Sequence, residues 1–257
     1  MEFELWHYAL LFFVACFSGF VDAIAGGGGL ITIPILISVG IPEYIALATN
    51  KLQSSFGSFT ATLNFSLKGY INYKDIWIGV VFTFIGAVLG TICVLVIDPK
   101  ILSYLIPIFL ILIFLYTIFS PKIGEKDRAA KLSPKVFYIT FGLMLGFYDG
   151  FFGPGAGSFW MFAMVALLGI HMKKAVAHTK ALNFTSNILS LGVFIAGGQI
   201  LWMLGIIMGF GQIIGAYFGS KMVIKKEVKF IKIVFLVVVA CTILKLIYDL
   251  FVKQLLT

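Results

Sequence analysis

Polar and apolar residues do not alternate along this chain. They fall instead into apolar blocks of roughly twenty residues, such as VVFTFIGAVLGTICVLVI over 80–97, separated by short polar or charged breaks. A helix of that length crosses a hydrocarbon core of about 30 Å. Backbone in lipid must satisfy its own hydrogen bonds, which leaves helices and closed barrels as the spanning structures. Barrel strands would show a two-residue period that these blocks lack. The pattern predicts helices over about 5–24, 29–40, 43–66, 75–97 and 101–119, then over about 136–152, 157–169, 173–197, 200–221 and 229–252. The expected fold class is an all-α polytopic membrane protein. Composition agrees: 61% of the 257 residues are hydrophobic, 12% are charged, and mean hydropathy is +1.07.

The two series of helices carry related residues. GFVDAIAGGGG at Gly19 reappears 127 positions later as GFYDGFFGPGAG at Gly146. Beyond it the offset becomes 129, pairing Gly40 and Ile41 with Gly169 and Ile170, Lys51 with Lys180, and IGA at Ile85 with IGA at Ile214. Such scattered but consistent identities predict an internal duplication. Each half then contains a first segment broken by glycine, as a short helix or a re-entrant piece, followed by three spanning helices. The charged stretch SPKIGEKDRAAKLSPK, 120–135, separates the halves. The expected domains are an N-terminal repeat over 1–120, a cytoplasmic connector over 121–135 and a C-terminal repeat over 136–257.

Charge sets the orientation. With the connector in the cytoplasm and the halves inverted, thirteen Lys and Arg residues lie inside and two, Lys100 and Lys253, outside. The positive-inside rule favours that arrangement, with both termini outside. It also accounts for the net charge of +8 without a nucleic-acid partner. MEFELWHYALLFF opens with Glu2 and Glu4 where a signal peptide would be basic, so the first block is expected to remain as a helix. Cys16, Cys93 and Cys241 stand singly in apolar blocks. They read as small core residues, with neither metal nor cofactor implied.

Two constellations carry chemistry. Gly26, Gly27, Gly28 and Gly29, behind Asp22, allow a sharp turn and close ligand approach to peptide N–H groups. The helix after them would aim its positive dipole end into the break. Gly153 and Gly155, with Pro154 as a further breaker and Asp149 before them, repeat the device. Broken helices paired across inverted repeats are a transporter plan with the site near mid-membrane. Next, Lys51, Ser54 and Ser58 share one helix face, as do Lys180, Asn183 and Asn187, with Asn50 and Thr179 alongside. If these helices start at Pro42 and His171, each lysine lies about 14 Å in, a costly depth that marks a functional candidate. Lysines, hydroxyls, amides and helix N-termini together select a small anion. Asp22 and Asp149 are expected either to pair with lysine or cap a helix, or to carry a coupling proton. His178, aligned with Thr49, is a further candidate for relay or packing.

GFVDAIAGGGGLITIPIL, ALATNKLQSSFGSFTATLNF and their echoes GFYDGFFGPGAGSFW and AVAHTKALNFTSNILSLGVF make the chain resemble the sulfite exporter TauE/SafE family of membrane transporters. The resemblance covers nearly the whole chain. It implies secondary transport of sulfite, sulfoacetate or another sulfonate across the cell inner membrane, with direction and proton coupling open. HTK in the second half stands where the first has TNK, so the half-sites need not contribute equally. The expected partners are a small anion and the lipid bilayer; homo-oligomerisation stays open. The alternatives are a membrane-embedded enzyme or an anion channel. Against an enzyme, no nucleophile arrangement or metal cluster is evident, and no P-loop points to ATP-driven transport.

Overall fold

The computed structural model describes residues 4–95, 124–198 and 200–247. The expected helix over 101–119, with Lys100, Lys122 and Lys253, lies outside the described residues. Within them the chain is helical, with no strand. Helix α1, Leu5–Ala25, stops where Gly26 takes φ 77° and returns its N–H to Asp22 O. The short helix α2, Gly28–Ser38, follows at once and ends before Gly40, whose φ of 87° turns the chain two residues sooner than the apolar block suggests. Helix α3, Glu43–Leu67, starts behind Pro42. Helix α4, Tyr73–Val94, begins where the Asn72 side chain accepts from Lys74 N.

Helix α5, Pro134–Phe151, has proline at its first turn, where a missing N–H costs nothing, and Ser133 as its cap. Helix α6, Ala156–Ala163, continues as a π-helical turn, Met164–Leu168, which the regular apolar pattern does not predict. The connector accounts for the distortion. Its Lys131 and Leu132 N–H groups both donate to Leu167 O, and Arg128 N donates to Gly169 O. Helix α7, Met172–Ala196, is capped by His171 Nδ1, which accepts from Lys173 N at 3.2 Å. Helices α8, Trp202–Lys225, and α9, Val228–Ile247, complete the described fold.

Helix α1 packs along α8, and α4 along α5, while α3 and α7 lie against each other in the middle. The two outer pairs touch backbone to backbone. A Cβ at Gly215 would stand 1.9 Å from Cys16 O, and one at Gly90 2.1 Å from Phe147 O. Small residues permit this approach where lipid removes the hydrophobic drive between helices. Outward faces carry Phe13 and Phe17 on α1, Trp77 and Phe84 on α4, and Phe210 and Phe218 on α8, all exposed, as lipid contact requires. Among the described residues α1, α4 and α8 are long and apolar enough to cross a membrane. Helices α3 and α7 are longer, at 25 residues each, but carry the polar stripes.

Candidate functional site

The two interrupted segments meet where α1 gives way to α2 and α5 to α6. At that crossing a Cβ on Gly26 would lie 2.4 Å from the carbonyl carbon of Gly157, and one on Gly157 would lie 2.6 Å from Gly26 Cα. Only glycine permits both the contact and the positive φ of Gly26. Ser158 pins the crossing by donating from Oγ to Ala25 O at 2.8 Å.

Each aspartate reaches the lysine of the other half. Lys51 Nζ donates to Asp149 Oδ1 at 2.7 Å, to Asp149 O, and to Asn187 Oδ1 at 3.3 Å. An ammonium has three N–H groups, so Lys51 is saturated. Asp149 Oδ2 accepts in turn from Ser186 Oγ. Lys180 Nζ donates to Asp22 Oδ2 at 2.8 Å, and Asp22 Oδ1 accepts from Gly28 N at 3.0 Å, which caps α2. Of the two expected roles for the aspartates, the pairing and capping geometry is the one present. It answers the cost of burying a charge, since all four groups would be expensive alone.

A polar cavity of about 30 Å³ opens beside the crossing. That is room for a few water-sized groups, the size class of a small oxyanion. Its walls are Asp22, Gly26, Gly29, Asn50, Ser54, Asp149, Gly153, Gly155, Ala156, Gly157, Asn183 and Asn187. Asn50 Oδ1 accepts from Thr32 Oγ1 at 2.7 Å and Gln53 Nε2 at 2.8 Å, which turns its NH2 group toward Gly29. The Asn183 side chain is 5% exposed, and its Oδ1 has no partner. Gly29 and Gly157 are the second residues of α2 and α6, where a helix N-terminus leaves its N–H groups without an intrahelical acceptor.

Sequence reasoning and geometry part company at several positions. Lys51 and Lys180 do not line the cavity; their ammonium groups turn to the carboxylates. Gly27 and Gly28 sit outside the wall, with Gly27 against Val238 of α9. Thr179 faces Met164, donating to its Sδ at 3.9 Å. Ser58 accepts from Asn187 Nδ2 at 3.5 Å, behind the wall. His178 lies away from the cavity, its Nδ1 3.2 Å from Tyr138 Oη. Ala156 and Gly157 were missed, although they belong to the GPGAG motif itself. The supports Thr32, Gln53 and Ser186 were missed too, having no signal beyond being polar within apolar blocks.

The model of the family described as sulfite exporter TauE/SafE matches residues 11–246. A relative from Haemophilus influenzae named "Probable membrane transporter protein" is 46% identical over 94% of each chain. YfcA of Escherichia coli K12, also named a probable membrane transporter protein, is 44% identical over 93% of this chain and 89% of its own. YunE of Bacillus subtilis, so named as well, is 25% identical over 94% and 98%. No solved structure matches. With paired aspartates and lysines at the crossing of two broken segments and a family match over most of its length, this chain belongs to the sulfite exporter TauE/SafE family.

Proposed function

We propose that the chain is a secondary transporter that carries a small sulfur-containing anion, such as sulfite or a sulfonate, through this cavity in the cell inner membrane. The supporting observation is the set of donors around one small space: the Asn50 amide, the Ser54 hydroxyl, and the N–H groups of Gly29 and Gly157 in the first turns of two helices. Helix N-termini favour anions through both dipole and N–H groups. The lysines contribute by neutralising the aspartates, so that the walls do not repel negative charge.

In this reading the halves over 1–120 and 136–257 are oppositely oriented copies joined by a cytoplasmic connector. The exchange of partners supports it: α1 lies on α8 and α4 on α5, and each aspartate pairs with the lysine of the other half. The distribution of Lys and Arg supports the inversion. A crossing of broken segments between such copies is where alternating access places its site.

The test is thermal stabilisation of the purified protein by sulfite, sulfate, thiosulfate and methanesulfonate, followed by flux in proteoliposomes. Binding to the folded state raises the melting temperature by mass action. A specific shift with saturable flux is expected, and the shift should be lost in Lys51→Ala and Lys180→Ala. No shift with any anion would sink the proposal, as would ohmic conductance.

A further inference from the structure

The two buried ion pairs are unequal, and from that inequality we infer that Asp22 is the carboxylate that takes up a proton when the anion binds. Lys180 then turns its N–H groups from Asp22 to the anion, while Lys51 and Asp149 stay locked together. The inference rests on the anion-transport reading above and assigns its coupling to one half of the site.

Lys51 has an acceptor for each N–H, and Asp149 holds Ser186 besides. Drawing Lys51 out of that pair would break three hydrogen bonds. Lys180 meets a single acceptor among the described residues, Asp22 Oδ2, which leaves two N–H groups uncommitted. The Asp22 side chain is 22% exposed against 6% for Asp149. One turn along α7 from Lys180 stands Asn183, buried at the cavity wall with Oδ1 unpaired. The loosely held groups therefore lie together, around Asp22.

Charge balance supplies the rest. Two aspartates and two lysines sum to zero, so a bound monoanion leaves one uncompensated negative charge in a poorly solvated site, which is strongly unfavourable. One proton on a carboxylate cancels it. Protonated Asp22 still accepts from Gly28 N through one oxygen and gains an O–H donor on the other. Lys180 stays charged, and its N–H groups pass to the anion. When the anion leaves, the proton leaves Asp22 and the ion pair closes again.

Among the described residues, the elements packed around Asp22 offer no other titratable partner than Lys180. Lys180 comes from α7, and the Lys51–Asp149 pair stands on α3 and α5. Helix α2 presents the Gly28 N–H, α6 presents Gly157, α8 presents neutral Gln212 near Ser18, and α9 presents Val238.

Methanesulfonate and thiosulfate do not titrate near neutral pH, so a pH-indicator dye in weak buffer reads protons taken up by the protein as they bind. Wild type is expected to take up about one proton per methanesulfonate bound, by linkage. Asp22→Asn should bind without uptake, and the carboxylic-acid C=O band that anion binding raises in infrared difference spectra should move in Asp22→Glu, which keeps the charge, and stay in place in Asp149→Glu. In proteoliposomes an inward proton gradient should accelerate wild-type uptake and leave the Asp22→Asn rate unchanged relative to its own rate without a gradient. Binding to wild type with no proton uptake overturns the inference, as does uptake that survives Asp22→Asn. A band that Asp22→Glu leaves in place overturns the inference as well, and if Asp149→Glu fails to fold, wild type, Asp22→Asn and Asp22→Glu still decide. If wild type binds neither anion nor the rest of the panel, it is the transport reading that fails.

Discussion

Helices α3 and α7 present matching stripes to one cavity, yet what stands behind them differs. Behind α3 a polar chain runs from the wall into the protein. Asn50 is held by Thr32 and Gln53, Gln53 faces Gln212 at 3.5 Å, and Gln212 reaches Ser18 at 3.3 Å. At the aligned positions behind α7 the chain is broken: Leu182 replaces Gln53, Thr83 replaces Gln212 with its Oγ1 unpaired, and Leu145 replaces Ser18. The side chain of Asn183, aligned with Ser54, has no hydrogen bond among the described residues. The contrast teaches that duplication copied the stripe but not its support. A fully connected polar network specifies one arrangement, whereas an incomplete one leaves a group free to move. The α3 side is set in advance, and the α7 side is the one that can rearrange around a ligand.

The largest expected effect separates the two ion pairs. Asp149→Ala strands the Lys51 charge in a place that is almost wholly buried, which costs about 3–5 kcal/mol. It should sharply lower the yield of folded protein and its melting temperature. Asp22→Ala strands Lys180, which is as deeply buried, but water can enter where the 22%-exposed carboxylate stood, so the loss should be smaller. Equal losses in a melting series would erase the distinction. Next come the two asparagines. Asn50→Ala leaves Gln53 without its acceptor and Thr32 with only Gly28 O, at about 1–3 kcal/mol, while Asn183→Ala breaks no side-chain hydrogen bond among the described residues and should barely change stability. Both should reduce anion-induced stabilisation, so melting with and without anion reads both halves of this prediction.

A smaller effect is expected from Gln53→Leu, which gives the first half the residue of the second. Asn50 would then keep only Thr32, and anion affinity should fall by roughly tenfold, corresponding to about 1.4 kcal/mol, while Leu182→Met should change it little. Isothermal titration compares them. Smallest is a pH effect at the α7 cap. Burial, first, and Lys173 hold His171 below its ordinary 6.5, against the pull of Asp127. The unfolded chain therefore binds the proton more readily. Stability should fall as pH drops below about 6.5 and level off below the folded value. Protonation also removes the Nδ1 acceptor that caps Lys173 N. His171→Asn keeps a cap without titrating, so its melting temperature should be flatter across that interval.

Much of the fold was legible because block length and glycine or proline breaks act locally. Pro42, Asn72, Ser133 and His171 stand at the helix starts that the blocks suggest, within two residues. The π turn at Met164–Leu168 was not legible, since MVALL is an ordinary apolar run and its distortion comes from connector N–H groups more than thirty positions earlier. At the cavity, glycine motifs marked the wall because unwound backbone needs them. The sequence did not say where the lysines would point. Depth alone suggested a ligand, but a buried ammonium needs a permanent counter-charge first, and Asp149 lies 98 residues from Lys51. The order of residues carries no distance between halves, so it left both partners open.

The contact of Gly26 with Gly157 has a mechanical meaning. Peptide rests on peptide there, without a side chain to compress or to change rotamer, and such a joint has almost no slack. Displacing either broken segment should drag its counterpart along by a similar amount, as the blades of scissors share a rivet. A pore open at once to both aqueous faces would require the rivet to part.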